Sequence, residues 1–449
     1  MRAQLSSIRA DGGRLAIHPL EVKGRFITWR RVTFIALIAI YLLAPLVHLG
    51  GHPAVHLDVG ARRFYLLGGT FNAQDFWMVL LLATGFVFSV LFVTAWRGRL
   101  WCGWACPQTV FLEGVYRPIE RLFDGPSTRR AKLAGQPWTG PRMARAVAKH
   151  AAYLAVSIFI AHAATALFVS LHDLRGMIVE GPAAHLEAFA WTTSFTAALY
   201  FNFGWFREQF CVVLCPYGRL QSVLHDKESV TVAYDAKRGE PRGKISTTTG
   251  DCIDCRKCVQ ACPTAIDIRD GLQMECLACA QCVDACDDVM ARIGKPQGLI
   301  RYASQNELAG GKRRVLRPRL FLYAALATIA VGTLTVVLLT RTPFEANVLR
   351  LRGVPFVVEG DRVRNQLEVH VVNKSPERAQ LKLEIRGPAG LEVQLARDVV
   401  ELGSLEDTRV PLVVSLPKSL KGHTQLELVV VDATSGIERR APVPFVAPR

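Results

Sequence analysis

Eight cysteines in two runs dominate the chemistry available to this chain. Cys252-x2-Cys255-x2-Cys258-x3-Cys262 is followed by Pro263, and after a thirteen-residue spacer Cys276-x2-Cys279-x2-Cys282-x3-Cys286 repeats the spacing. This is the run of bacterial ferredoxins, in which the fourth cysteine of each run ligates the other cluster. Three thiolates spaced by two residues wrap one face of a cubane, and the fourth sits too far round to join them. The expected ligand sets for two [4Fe–4S] clusters are therefore Cys252, Cys255, Cys258 and Cys286 for the first, and Cys262, Cys276, Cys279 and Cys282 for the second. The second run has Cys286-Asp287 where the first has Cys-Pro, which leaves the ligand count intact. A structural zinc site would need Cys-x2-Cys pairs separated by longer loops.

The remaining four cysteines form a weak repeat. Trp101-Cys102-Gly103-Trp104-Ala105-Cys106-Pro107 and Phe210-Cys211-Val212-Val213-Leu214-Cys215-Pro216 share a Cys-x3-Cys-Pro device. Thiols spaced by four on one helical face also serve as small buried apolar groups. The duplication and the nearby aromatics point instead to a soft metal such as Cu(I), or to a thiol redox pair. Convergence of all four on one site is not readable from the sequence. His48, His52 and His56 are also spaced by four, but Gly50, Gly51 and Pro53 argue against one continuous helix there, so interfacial histidines are the favoured reading. His162 falls inside an apolar run, where a polar residue is a functional candidate, although no haem-ligand partner is evident.

These residues need a membrane scaffold to position them. The chain has 449 residues, 50% of them hydrophobic, with a mean hydropathy of +0.22, which excludes a plain soluble globule. Charge-free apolar runs at residues 32–49, 76–96, 151–171, 188–206 and 320–340 each approach the ~20 residues that span a hydrocarbon core. Lys and Arg number seven in residues 1–31, ten in 97–149 and eighteen in 207–319, against two in 50–75 (Arg62, Arg63) and one in 172–187 (Arg175). By the positive-inside rule the N-terminus is expected on the inner, cytoplasmic side and the tail beyond Thr340 on the outer side. The net charge of +16 is then mostly topological and calls for no nucleic acid. The first run follows an Arg-rich leader and lacks a small-x-small exit, so it reads as an uncleaved anchor. The reducing side of the membrane also disfavours disulfides among the cysteines.

Past residue 340 the pattern becomes period-two alternation: Leu367-Val369-Val371, Leu381-Leu383-Ile385, Leu391-Val393-Leu395, Val410-Leu412-Val414 and Leu426-Leu428-Val430, separated by turns such as Asn373-Lys374-Ser375-Pro376 and Gly387-Pro388. The expected fold is a multi-pass α-helical membrane protein with five transmembrane helices, a cytoplasmic two-cluster α+β insert of bacterial-ferredoxin type, and a C-terminal periplasmic Ig-like β-sandwich. The corresponding segments are a cytoplasmic N-terminal stretch at 1–31, a four-helix core at 32–206 with an inner loop at 97–149, a cytoplasmic segment at 207–319 with the ferredoxin domain at about 245–300, a fifth helix at 320–340, and the β-domain at 341–449.

An ordered set of motifs resembles the cytochrome c oxidase accessory proteins of the CcoG, FixG or RdxA family. It comprises Trp101-Cys102-Gly103-Trp104-Ala105-Cys106-Pro107-Gln108-Thr109, Arg207-Glu208-Gln209-Phe210-Cys211…Cys215-Pro216-Tyr217, the double ferredoxin run, Gly271-Leu272-Gln273-x-Glu275-Cys276, and Lys295-Pro296-x-Gly298-Leu299-Ile300-Arg301-Tyr302. The resemblance spans nearly the whole chain and is loosest in the β-tail. It implies a membrane-bound polyferredoxin that acts as a cupric reductase and supplies Cu(I) for assembly of cbb3-type oxidase, with copper as substrate or transient ligand. The implied partners are the oxidase assembly machinery and a copper transporter or chaperone, beside membrane lipid, an unknown electron donor, and a homodimer as an open outcome. The candidate copper thiols are Cys102, Cys106, Cys211 and Cys215. Two alternatives stay open: a non-catalytic assembly scaffold, and a quinol-linked ferredoxin subunit, against which the fifth helix and the outer β-domain weigh.

Overall fold

A carboxylate from the ferredoxin segment caps the first long helix, α1 (Arg25–Leu43). In the computed structural model Asp284 accepts from the backbone N–H groups of Phe26 (3.3 Å) and Ile27 (2.8 Å), two donors that a helix N-terminus leaves without intrahelical partners. Gly24 makes room for it, since a Cβ there would fall 2.3 Å from the Asp284 carboxyl carbon. The structure describes residues 16–447 apart from 50–51, 61–62, 67, 73–74, 135, 245–248, 313, 352, 376, 405 and 419–425. Residues 1–15 of the Arg-rich leader, Gly50, Gly51, Arg62 and Pro376 lie outside the described residues, as does the side chain of His52.

Downstream come α2 (Phe76–Arg97), α3 (Leu100–Trp104), α4 (Pro107–Phe111), α5 (Arg117–Asp124), α6 (Ser127–Ala134), α7 (Gly140–Val169), α8 (Leu171–Glu180), α9 (Leu186–Phe201) and α10 (Pro216–Leu224). The expected inner loop at 97–149 is thus mostly helical. Among the described residues four helices are long and apolar enough to cross a membrane: α1, α2, α7 and α15 (Pro318–Leu339). The run expected at 188–206 is built differently, as the 16-residue α9 continued by a π-helical turn over Asn202–Phe206. That turn ends at Arg207, whose positive φ of 52° stops the helix.

The ferredoxin segment contributes α11 (Ala236–Gly239), α12 (Lys257–Gln260), α13 (Gln281–Arg292) and α14 (Gln305–Leu308). Strands Thr231–Tyr234 and Ile300–Ala303 pair antiparallel across it. Its core gathers Val232, Ile266, Ile268, Val283, Val289, Met290 and Leu299 around the cysteines. The segment before α1 runs along it, Leu20 N–H donating to the Gln260 carbonyl at 2.8 Å.

Contacts divide the chain into one unit of residues up to His56 plus Val79–Thr333, and a second of Leu57–Met78 plus Leu334–Arg449. The second unit holds a β-sandwich. One sheet orders Glu392–Leu395, Asp407–Pro417, Arg362–Asn373 and Phe344–Arg350, with Val357–Glu359 beside Arg362–Asn373; the other orders Val399–Leu402, Ala379–Arg386, Leu426–Asp432 and Glu438–Val443. Leu367, Val369, Val371, Leu381, Leu412, Val414 and Leu428 are buried between them. The residues grouped with this tail include the hairpin Arg63–Leu66 and Gly69–Asn72 and the buried Asp75. Asp75 pairs with Arg341 at 2.7 Å and with Lys374 at 3.2 Å, so segment 57–78 is tied to the β-domain and is no mere connector.

Candidate iron–sulfur and thiol site

The two cysteine runs fold alike because their backbones turn at equivalent positions. Asp254 and Arg256 in the first run and Ala278 and Ala280 in the second all have φ between 52° and 60°, a region that disfavours side chains. Each pair of left-handed residues curls its Cys-x2-Cys-x2-Cys stretch around a concavity, and the third cysteine then enters a helix: Cys258 lies in α12 and Cys282 in α13. One cavity is lined by Cys252, Cys255, Cys258 and Cys286. A second is lined by Cys262, Cys276, Cys279 and Cys282, with Cys258 at its wall. Cys286 of the second run thus faces the first cavity, and Cys262 of the first run faces the second.

The donor chemistry fits iron. Burial pushes the Cys258, Cys276 and Cys286 thiols up to about 12 and Cys279 up to about 11. Thiolates in such a pocket need a bound cation to offset desolvation, and cubane iron provides that charge. Backbone donors are already placed on the sulfurs, as the Ala278 N–H lies 3.4 Å from Cys276 Sγ. Arg269 pairs with Asp254 and Asp267 and fixes the loop of the first run.

The other four thiols meet in one place. Cys102, Cys106, Cys211 and Cys215 all line a cavity of about 290 Å³ walled by Phe86, Val87, Val90 and Leu91 of α2 and by Trp101 and Tyr217. The repeat is structural. Cys102 lies in α3 and Cys211 in a π-helical turn, whereas Cys106 (φ −62°, ψ 127°) and Cys215 (φ −68°, ψ 111°) are extended residues before Pro107 and Pro216, which open α4 and α10. A residue before proline is driven out of the helical region, and proline suits the first helical position. The two thiols of each device therefore do not share one helical face. Gln108 ties the halves, its Nε2 donating to the Arg207 carbonyl at 2.9 Å and to Asn202 Oδ1 at 3.3 Å. Burial pushes the Cys106 and Cys211 thiols up, and the neighbouring cysteines add to it. Buried thiols of this kind could release their protons to a soft cation if one bound there.

Met274, Glu275 and Leu277 also line this cavity, which sets the approach to the second run against the thiols. Arg99 donates to the carbonyls of Met274, of Cys276 (3.3 Å) and of Gly218 (2.9 Å), holding that run and α10 together. Arg30, fully buried, donates from Nε to the Gly103 carbonyl at 2.9 Å. Trp104 Nε1 donates to the Tyr302 hydroxyl at 3.3 Å, which donates to the Ala278 carbonyl at 2.5 Å. Gly103 sits closest of all: a Cβ there would fall 2.5 Å from the Leu277 carbonyl oxygen and 3.0 Å from the Cys279 Cα. Both are backbone atoms that cannot swing aside. Gly103→Ala is therefore expected to destabilise the unit by about 1–3 kcal/mol and to wedge the second run away from α3. Thermal denaturation followed by cluster absorbance checks this, and an unchanged midpoint would contradict the contact.

Sequence reading missed Arg30, Arg99, Gly103 and Trp104 as positioning groups. Gly103 and Trp104 lie within the family motif around Cys102, which the reading used only for its cysteines, whereas Arg30 and Arg99 fall outside every motif and left no local signal. The histidines converge on no site among the described residues. His48 lies on a short exposed strand and His56 is buried on another, while His162 bonds back to the Ile158 carbonyl of its own helix at 2.8 Å.

Apolar helices, a ferredoxin-type domain with two thiol-lined cavities, and an Ig-like tail define a membrane-associated iron–sulfur electron-transfer protein. Family models agree: residues 206–305 match a 4Fe-4S dicluster domain, residues 76–126 a 4Fe-4S binding domain, and residues 334–448 the Ig-like fold at the C-terminal of FixG. Protein RdxA of Cereibacter sphaeroides is 37% identical over 398 residues, covering 84% of each chain. Nitrogen fixation protein FixG of Rhizobium meliloti is 34% identical over 480 aligned residues, covering 94% of this chain and 91% of its own. The chain belongs to the FixG/RdxA family.

Proposed function

We propose that this protein reduces Cu(II) to Cu(I) at the juxtamembrane thiols. The observation that carries the reading is the convergence of Cys102, Cys106, Cys211 and Cys215 on one cavity, whose wall is shared with the residues leading into the second ferredoxin run. Cys252, Cys255, Cys258 and Cys286 would hold one [4Fe–4S] cluster, and Cys262, Cys276, Cys279 and Cys282 the other. When bound, such clusters supply one-electron transfer, and reduction of Cu(II) to Cu(I) consumes one electron. The chain's own residues do the rest. The thiols give up protons on binding copper and prefer the Cu(I) product by softness. The apolar wall from α2 and Trp101 limits water around them, while Arg99 and Gly103 keep the second run against the site. In this reading the protein lies in a bacterial inner membrane with its thiols at the cytoplasmic face, and the Cu(I) serves assembly of a cbb3-type oxidase.

The test mixes anaerobically purified, reduced protein, freed of reductant, with Cu(II), and follows chelated Cu(I) and cluster absorbance together. Cluster reoxidation in step with Cu(I) formation, slowed in Cys102→Ser, Cys106→Ser, Cys211→Ser and Cys215→Ser, is the expected result. Clusters that stay reduced while copper is merely bound would overturn the reductase reading and favour a scaffold.

A further inference from the structure

A further cavity, of about 250 Å³, lies between α1 and α5 and has no part in the chemistry above. We propose that it binds the head group of an anionic phospholipid. Its polar end presents four arginines, Arg31, Arg117, Arg121 and Arg130, against two carboxylates, Glu21 and Glu113. Those carboxylates are already taken, Glu113 by Arg117 at 2.7 Å and Glu21 by Arg130 at 2.7 Å. Among the described residues Arg31 and Arg121 have no carboxylate within ion-pair distance, so two cations face the cavity uncompensated. Arg117 is 5% exposed, yet its Nη1 finds no hydrogen-bond acceptor, and the Nε of the equally buried Arg130 finds none either. Arg130 is also paired with Glu120 at 2.9 Å and Arg117 with Glu208 at 3.6 Å, so the cations short of an anionic acceptor are Arg31 and Arg121, with the unpaired N–H groups of the two buried guanidiniums beside them.

The other end of the cavity says what carries that anion. Phe34, Ile35 and Ile38 rise along one side of α1, and Ile35 is 69% exposed. This helix is long and apolar enough to cross a membrane, so the wall continues from the arginines towards hydrocarbon. A free phosphate would use only the polar end, whereas a phospholipid uses both. Basic pockets beside transmembrane helices suit anionic lipid head groups. The floor includes Gln281, the residue before Cys282, so an occupied site would seat the second cysteine run on the lipid surface.

The test uses the full chain, delipidated in detergent and reconstituted into nanodiscs of phosphatidylcholine with a minor fraction of phosphatidylglycerol. Lipid retained after re-extraction is quantified by native mass spectrometry. Preferential retention of phosphatidylglycerol is expected, and Arg31→Gln with Arg121→Gln should weaken that preference on the order of thirty-fold. Both side chains are at least partly exposed, and circular dichroism verifies that the double variant folds; Arg31→Lys with Arg121→Lys should keep most of the preference. Equal retention of the two lipids by the unaltered protein, or an unchanged preference in the glutamine variant, would overturn the proposal. Inorganic phosphate is the competitor: displacement of the lipid by it would assign the site to a free anion and overturn the lipid reading, and failure to displace supports it.

Discussion

Replacing Cys286 with alanine is expected to halve the iron bound per chain, and adding Cys255→Ala to it should remove no more. The two thiols belong to different runs but line the same cavity, with Cys252 and Cys258. By the same geometry, Cys286→Ala combined with Cys279→Ala should strip both cavities, because Cys279 faces the second one with Cys262, Cys276 and Cys282. A ligand assignment run by run predicts the reverse outcome for the two double variants. Iron analysis with electron paramagnetic resonance of the reduced protein separates them, and complete loss of iron in Cys255→Ala/Cys286→Ala would reject the crossed arrangement. The effect is large because three thiolates left in an apolar pocket hold a cubane with an open corner, and the buried thiols favour their protonated form. Cys262→Ala is the matched control, expected to affect only the second cavity.

Glu120→Gln is expected to destabilise the membrane-side unit by about 3–5 kcal/mol, the cost of stripping a buried charge cluster of its counter-ion. Glu120, on α5, is 4% exposed and accepts from Arg130 at 2.9 Å and from Arg207 at 3.2 Å. Burial alone would raise its pKa, but Arg207, Arg130 and Arg117 outweigh that and hold it down to about 2, from an ordinary 4.5. Because the folded value is depressed, the stabilisation is fully present above pH ~4.5 and is lost as pH falls towards about 2. The unaltered protein should therefore lose thermal stability across that window, while Glu120→Gln starts lower and loses less of it. Parallel loss in both would place the acid sensitivity elsewhere. Arg207 also donates to the Tyr153 hydroxyl at 3.1 Å, and its carbonyl receives Gln108, so the variant should loosen the joint between the two Cys-x3-Cys-Pro halves as well. Slower Cu(I) formation, beyond what the lower midpoint explains, is the accompanying readout.

Much of this architecture was legible before any coordinates because its determinants are local. The ferredoxin runs announce themselves by spacing, since a cubane dictates how many residues separate its ligands. The apolar runs of α1, α2, α7 and α15 reflect the thickness of a bilayer, and the alternation at Leu367-Val369-Val371 or Val410-Leu412-Val414 reflects the two-residue period of a strand with one buried face. Strands Phe344–Arg350 and Glu438–Val443 were missed because their inward faces are carried by few or small apolar residues, Phe344, Ala346 and Val348 in one and Ala441 and Val443 in the other, which leave only a weak alternation. The start of α1 at Arg25, before the apolar run, depends on a cap from Asp284, more than two hundred residues away.

What the sequence by itself determined was the inventory: two ferredoxin runs, two Cys-x3-Cys-Pro devices, membrane helices and a β-tail. Only the tertiary structure decided that the four juxtamembrane thiols share one cavity, that Gly103 presses α3 on the second run, and that segment 57–78 belongs with the tail through Asp75. The physical reason is one of range. Ligand spacing, bilayer thickness and strand period act over a few residues and leave a periodic trace. The meeting of Cys102 with Cys211, 109 positions apart, or of Glu120 with Arg207, 87 apart, is fixed by helix packing and buried charge pairing that no local pattern encodes.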